Sequence, residues 1–546
     1  MSLKQLPKDQ QQEFESTGKI SSPEFLASAS HDVRDLPYNP YDYQKLLANG
    51  VIGTVPKAAL GTRVAIIGAG ASGLCAAYEL MKVGLVPVMY EASDRIGGRI
   101  YSYPIKSDPS SVLELGAMRV PKEQEVFAFY QKAFNIDTGP FPNPGSVDTM
   151  LWWQDTQYRW SSGTPPPPVI ANITAKFVAF LRDAMTQAGA SANDGHVEKG
   201  VIWENLVKRF ENSNLLSALT STGSWSYDEL NILGIFGLGT GGLSAQLQVA
   251  SLEMFRAVIG MWITDQLIYG NDYGVGLESL TNTFWRKEIT TPGGVTSVQK
   301  MQDRERCRPG VVAIQSTASR KGVVVVDADG NSETFAAAIL TCTTRAAQLG
   351  IKIDDSLLST DAWGALRRIH YMSSTKIMCS SETKFWKEEN LPVVTLTDRP
   401  TRATYFMDYG EHATGGSLLL SYTWGDDSDK LMAMSENQLR AMCGNVLGEL
   451  YGPAFSKQKL SDFRVISWQQ EPGYNGAFRL GYAGQYHDQN ALFNQARASV
   501  AGGSRDGLFL AGEGVSWEGG WIDGGLQTGL DASCCTIRLL GGTINA

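Results

Sequence analysis

Three glycines in Gly68-Ala-Gly70-Ala-Ser-Gly73 stand at the spacing that cradles a phosphate. The first permits a tight turn and the second lets a pyrophosphate reach the backbone. The third lets a helix pack on the preceding strand, with Ala71 and Ser72 at that helix's positive end. Glu91 follows 23 residues after Gly68, where an acid holds ribose hydroxyls in such a unit. Directly beyond it Ala92 opens ASDRIGGR, and Gly97-Gly98-Arg99 offers a second backbone approach and a cation for the far side of a diphosphate. A plain NAD site has no use for that second wrap. Near the opposite end, EGVSWEGGWIDGGLQTG (Glu513 to Gly529) sets two tryptophans and three acids among glycines. Glycine at this density reads as surface loop, yet tryptophan flanked by glycine suits a backbone lying close to a flat, partly apolar object.

The elements that must carry these groups are legible nearby. RVAIIG, SGLCAAYELMKVG and LVPVMYE read as strand, helix and strand in about 30 residues, the length of one βαβ unit. GVVVVDADGNSETFAAAILTC predicts a β-hairpin turning at Asp329-Gly330. GLFLAG predicts a last strand leading into the tryptophan stretch, and GLQTGLDASCCTIRLL a terminal helix in which Cys534 and Cys535 are small core residues. From Lys122 to Thr290 the texture is helical, as in EQEVFAFYQKAF, ANITAKFVAFLRDAM and IWENLVKRFENS, broken by the run Pro165 to Pro168. Residues 1–60 read as an irregular lead-in.

Composition bounds the answer. A chain of 546 residues exceeds one hydrophobic core, so two or three domains are expected. A hydrophobic content of 43% with 19% charged residues is that of a folded globular protein. A net charge of −9 argues against nucleic acid, whose phosphates call for basic surface. Seven cysteines without CxxC or Cys/His spacing make neither a disulfide framework nor a metal site. The first residues lack the apolar segment of a secretory signal, and no run of about 18 apolar residues is found. A soluble, cytoplasmic protein without a membrane partner is the expectation.

VAIIGAGASGL, YEASDRIGGR and ELGAMRVP together resemble the flavin-dependent amine oxidase superfamily, and within it the L-amino acid oxidases and amino acid 2-monooxygenases. The resemblance spans most of the chain, and residues 1–60 carry none of it. It implies an α/β fold: an FAD-binding Rossmann-like domain of the glutathione-reductase type, a mixed-sheet substrate domain and a helical insertion. The FAD domain would be discontinuous, from 61–121, 291–350 and 485–546. Residues 122–290 would be mainly helical and 351–484 substrate-binding, with 1–60 packed on the substrate domain.

The resemblance also implies roles. Gly68, Gly70, Ala71, Ser72, Gly73, Glu91, Ala92, Gly98, Arg99, Gly116, Ala117, Met118 and Arg119 would lie along FAD, with the Val311 backbone at the adenine. Gly512 and Glu513 would meet the ribityl chain, and Gly520, Trp521 and Ile522 the isoalloxazine ring. No cysteine stands just before the glycine pair ahead of Trp521, so noncovalent FAD is expected. Arg119 would bind a substrate α-carboxylate through two parallel donors. Tyr422, in SLLLSYTWGDDSDKL, would add a hydroxyl, and Lys376, in HYMSSTKIMCSS, would hold a water at flavin N5. Trp225, Asp228, Phe236, Ser244, Trp262, Trp468, Tyr474 and Phe478 sit in segments that face substrate in relatives. Asp228 would either select a basic side chain or serve a helix start.

The implied reaction moves a hydride from the Cα of an L-amino acid to flavin N5. The imino acid then gives 2-oxo acid and ammonia while O2 yields peroxide. The same site fits oxidative decarboxylation to the amide, and no named residue separates the two. A homo-oligomer, dimer or higher, is expected from the relatives.

Overall fold

The strand Arg63–Ile67 is apolar on both faces, and the fold buries both. Val64 and Ile66 pack in one core with Leu74 of the helix Ala71–Lys82 and Leu526 and Leu530 of the helix Ile522–Leu539. Ala65 and Ile67 pack in a second core with Val311, Val325 and Leu340. A strand without a polar face is what a parallel sheet covered on both sides requires. That sheet runs in the order Leu508–Leu510, Ala337–Leu340, Arg63–Ile67 and Val86–Tyr90, every pair parallel. The structure is a computed structural model that describes residues 41–161, 163–189, 199–236, 247–259, 265–319, 321–498 and 507–545.

The expected hairpin forms between Val323–Asp327 and Ser332–Phe335, with Gly330 at φ 83° in the turn. Its apolar continuation leaves the hairpin and becomes the strand Ala337–Leu340 of the parallel sheet. The hairpin instead extends a separate sheet through Val311–Ser316 and Lys352–Ile353.

A seven-stranded sheet forms the other half of the molecule. Its order is Leu460–Ser467, Ser374–Ser381, Gly416–Trp424, Ala403–Met407, Val394–Thr397, Thr149–Trp153 and Thr156–Trp160. The last two strands come from the stretch expected to be mainly helical. Met150 and Trp152 face one core and Leu151 the other, so the segment carries an alternation that suits a strand. The helix Glu436–Tyr451, closed by a Ser435/Gln438 capping box, covers one face. The helices Pro168–Gln187, Lys199–Phe210 and Ser251–Ile259 contribute to the core on the other. Two more helices from the supposed insertion, Glu125–Ala133 and Glu278–Arg286, belong to the core beneath the parallel sheet. The boundaries at 122 and 290 therefore do not coincide with a change of core.

The lead-in also differs from expectation. Tyr43, Leu46 and Leu47 form an apolar stripe that packs with the terminal helix, where Tyr43 Oη donates to Asp531 Oδ1 at 3.0 Å. Gly53–Thr54 pairs antiparallel with Thr543–Ile544. Residues 41–60 thus pack on the parallel-sheet domain rather than on the substrate domain, and residues 1–40 lie outside the described residues.

The glycine loop depends on a backbone contact. A Cβ at Gly73 would sit 2.0 Å from the Gly68 carbonyl oxygen. We expect Gly73→Ala to lower stability by at least about 1–3 kcal/mol, through the displacement of helix from strand. A thermal melt of the variant against the parent checks this, and an unchanged melting temperature would contradict the contact.

Candidate active site

The loop after Arg63–Ile67 and the turn after Glu91 meet back to back. Gly97 N donates to Ala69 O at 2.8 Å, and a Cβ at Gly98 would lie 3.0 Å from the Gly70 Cα. Glu91 holds both loops: one carboxylate oxygen accepts from Ala69 N at 2.7 Å and the other from Ser93 N at 2.9 Å. Ser72 is buried in the first turn of Ala71–Lys82, and its hydroxyl has no hydrogen-bond partner among the described residues.

A cavity of about 700 Å³ starts at this cradle. Of the expected cofactor-contacting residues, Gly68, Gly70, Ala71, Ser72, Glu91, Ala92, Gly98, Arg99, Gly116, Ala117, Met118, Arg119, Val311, Gly512, Glu513, Gly520, Trp521 and Ile522 line it. Gly73 does not; it supports the loop from behind. Lys376, Tyr422 and Phe478 line the same cavity, as do Trp468 and Tyr474. Asp228 does not: it is exposed in the first turn of the helix Tyr227–Phe236, where an acid complements the helix dipole. Trp225 packs against the large core, away from the cavity lining. Ser244, Trp262 and the side chain of Phe236 lie outside the described residues.

Lys376 and Tyr422 are direct cross-strand partners in the seven-stranded sheet, which is why residues so far apart in sequence meet. Lys376 is 3% exposed. Its Nζ donates to the carbonyls of Glu114 at 3.0 Å and Gly116 at 2.5 Å, and lies 5.1 Å from the centre of the Tyr422 ring. Burial holds the amine down at about 7, against the pull of the Glu114 carboxylate. Burial pushes Glu114 up to about 7, although Leu277 N and Ser102 Oγ both donate to it at 2.8 Å. Burial likewise raises Tyr422 to about 12, so its hydroxyl keeps its proton.

Arg119 reaches the cavity from the strand end at Val120–Pro121, with its guanidinium 4.6 Å from the Phe141 ring centre. Nη1 lies 3.6 Å from Asp265 Oδ2 and Nη2 lies 3.5 Å from Tyr405 Oη. Glu513 spends its carboxylate on Arg99 at 2.5 Å and on the backbone N–H groups of Arg479 and Gly520 at 3.1 and 2.8 Å. Trp521 caps the terminal helix in an extended conformation at the cavity wall. His370 stacks on Tyr482, and neither it nor His487 lines the cavity.

Sequence reasoning missed Glu114, Asp265 and Trp424, all close to the site. Trp424 stands two residues after Tyr422 on one strand and shares its face, a period-of-two signal that was available. Glu114 precedes the LGAMR motif by a single residue in ELGAMR. Asp265 had no local signal, because only the pairing of its strand with Val120–Pro121 brings it to Arg119.

The buried lysine has a measurable sign. Its folded pKa lies below the unfolded value, so from about pH 7 up to the unfolded lysine range the unfolded chain binds more protons and stability rises with pH. Lys376→Met removes that gain. The stability of the wild type relative to the variant should climb by up to about 1.4 kcal/mol per pH unit above neutrality. Chemical denaturation of both proteins across that range checks it; parallel pH curves would contradict a neutral buried amine.

Comparison with known proteins bears on the family and the fold. The family model for flavin containing amine oxidoreductases matches residues 71–537. A tryptophan 2-monooxygenase of Pantoea agglomerans pv. gypsophilae is 32% identical, over 92% of this chain and 94% of that protein. The tryptophan 2-monooxygenase of Pseudomonas savastanoi is 31% identical over 92% and 95%. An L-amino-acid oxidase of Siganus canaliculatus is 26% identical over 90% and 88%. Among solved structures, a redesigned putrescine oxidase superposes with a TM-score of 0.65 at 16% identity, covering 88% of this chain and 99% of that one. A cyclohexylamine oxidase from Brevibacterium oxydans gives 0.65 at 17% identity, over 88% and 100%. The structural matches speak for the fold, and the long sequence matches say more: this chain belongs to the flavin containing amine oxidoreductases.

Proposed function

We propose that this protein binds FAD without a covalent link and oxidises an L-amino acid at its α-carbon. The observation that carries the reading is the convergence of Arg119, Tyr422 and Lys376 on the cavity that begins at the glycine cradle. The residues present suit the cofactor. Ser72 offers a buried hydroxyl without a partner among the described residues, at a helix N-terminus, to a diphosphate. Glu91 would hold a ribose, Val311 would meet the adenine, and Trp521 with Ile522 the ring, all four being residues of the cavity wall. Cys342 lines the cavity, and burial pushes its thiol up to about 12, which disfavours the thiolate a covalent link would use.

When bound, the flavin supplies the two-electron acceptor and the route to O2. The chain's own groups position the substrate. Arg119 presents a charged fork to the α-carboxylate, and Tyr422 adds an O–H that burial keeps protonated. Above about pH 7 Lys376 is neutral, with two N–H donors spent on the Glu114 and Gly116 carbonyls and a lone pair left to accept from a water. The substrate amine must be neutral when the Cα–H bond breaks, so turnover should rise through neutral pH. Trp424, Trp468 and Phe478 on the cavity wall suit a large apolar or aromatic side chain.

The oxidase outcome is 2-oxo acid, ammonia and peroxide. A second reading, oxidative decarboxylation to the amide with carbon dioxide and water, draws support from the relatives named tryptophan 2-monooxygenase. Anaerobic mixing of the yellow protein with single L-amino acids, then air and product analysis, tests both. Bleaching by aromatic L-amino acids is expected. If none bleaches the flavin, the amino-acid reading fails.

Arg119→Lys keeps the charge and loses the fork. It should raise KM for an L-amino acid by about 10- to 100-fold, the loss of a charge-assisted pair of hydrogen bonds worth about 1.5–3 kcal/mol. The corresponding amine without a carboxylate should be far less affected. Equal losses on both compounds would remove Arg119 from carboxylate binding.

A further inference from the structure

Arg119 already has an acid beside it. Asp265 opens the strand Asp265–Asn271, which pairs antiparallel with Val120–Pro121 in the register Asp265↔Pro121. That register sets the Asp265 carboxylate beside Arg119, with Nη1 and Oδ2 3.6 Å apart and both side chains less than a tenth exposed. Both residues line the cavity. Asp265 Oδ1 has no hydrogen-bond partner among the described residues. Asn143 also bonds the Asp265 carboxylate, and the 3.6 Å separation from Arg119 is long for a purely structural ion pair inside a protein.

The charges around it are few. Arg119 and Asn143 bond Asp265 and Tyr405 lies near it, while Lys376 and Tyr422 line the same cavity with Glu114 next to the lysine. Burial keeps both tyrosines protonated and Lys376 neutral above about pH 7. Arg119 and Asp265 then cancel, while Glu114, pushed up to about 7, is left as a carboxylate that the neutral lysine no longer offsets. A substrate carboxylate arriving at Arg119 would add a further buried negative charge, which low dielectric makes costly.

From this juxtaposition we propose that Asp265 is a competing counter-ion of Arg119 that takes up a proton when a carboxylate binds. Asp265 is then a positioning residue: it holds the guanidinium in place while the site is empty of substrate and surrenders its charge when the substrate supplies one. The inference rests on Arg119 as the carboxylate site. Burial already pushes the Asp265 carboxyl upward against the attraction of Arg119, so a second anion nearby raises it further.

The test is calorimetric binding of 3-phenylpropanoate to the flavin-loaded protein above neutral pH, in buffers of different ionisation enthalpy. This carboxylate has no amine, so a proton taken up belongs to the protein. The wild type should take up about one proton per ligand, and affinity should fall about tenfold per pH unit. Asp265→Asn should take up none and bind with little pH dependence, while Asp265→Glu should keep the uptake; the flavin absorption spectrum reports whether each variant is folded. No uptake by the wild type overturns the proposal. So does uptake that survives in Asp265→Asn, because the proton then goes to another group: to the lysine if it disappears in Lys376→Met, to Glu114 if it disappears in Glu114→Gln. If Asp265→Asn does not fold, uptake that persists in both Lys376→Met and Glu114→Gln assigns the proton to Asp265, and its loss in either variant overturns the proposal. Binding to Arg119→Lys as tight as to the wild type is a separate result, which overturns the carboxylate role of Arg119 itself.

Discussion

Gly529 lies so close to the first helix that a Cβ there would stand 2.6 Å from the Ser72 carbonyl oxygen. The helices Ala71–Lys82 and Ile522–Leu539 can pack at this distance only because small residues let their backbones meet. Everything at the far end of the chain depends on that approach. It brings Trp521, at the head of the terminal helix, to the wall of a cavity whose floor is made by residues more than 400 positions earlier. It also aims the positive end of that helix, with Gly525 at the surface, into the same space.

The glycines of the closing stretch serve packing. A Cβ at Gly519 would fall 2.1 Å from the Arg479 guanidinium, which is fully buried and paired with Glu253 at 2.8 Å. The segment is laid over charged side chains too tightly for any side chain of its own. Tryptophan survives among these glycines where it faces the cavity or, as Trp517, stacks edge-on to Trp203 at 5.0 Å. What reads locally as a loose loop is a lid held in place by contact.

Electrostatics sets the character of the site more than charge number does. Lys376, Glu114, Arg119 and Asp265 are all nearly removed from water, so each is governed by its neighbours. A lysine without a carboxylate contact, its N–H groups turned to backbone carbonyls, is inclined to be neutral; an acid beside a single guanidinium remains an anion for as long as nothing else claims that cation. The seven-stranded sheet supplies the rigidity for this, since Lys376 and Tyr422 are held opposite each other by the ladder. Arg119 and Asp265 are held in the same way by a short antiparallel pairing.

The sequence by itself determined the local units: the βαβ cradle, its acid, the hairpin at Asp329-Gly330 and the closing tryptophan stretch. These depend on contacts between near neighbours, whose residue types and spacing carry the information. It determined the family for the same reason, because the motifs are short and contiguous. Tertiary structure decided what lies between the motifs. Asp228 offered two readings, a pocket acid or a helix start, and the fold chose the helix start, while Asp265, with nothing local to mark it, sits against Arg119. The strands Thr149–Trp153 and Thr156–Trp160 were hidden in a helical stretch until the large sheet offered them an edge. The lead-in followed its Tyr43, Leu46 and Leu47 stripe to the nearest apolar face, which belongs to the terminal helix. The alternation and the stripe are present in the chain, but which distant surface each is buried against is set only when the chain folds.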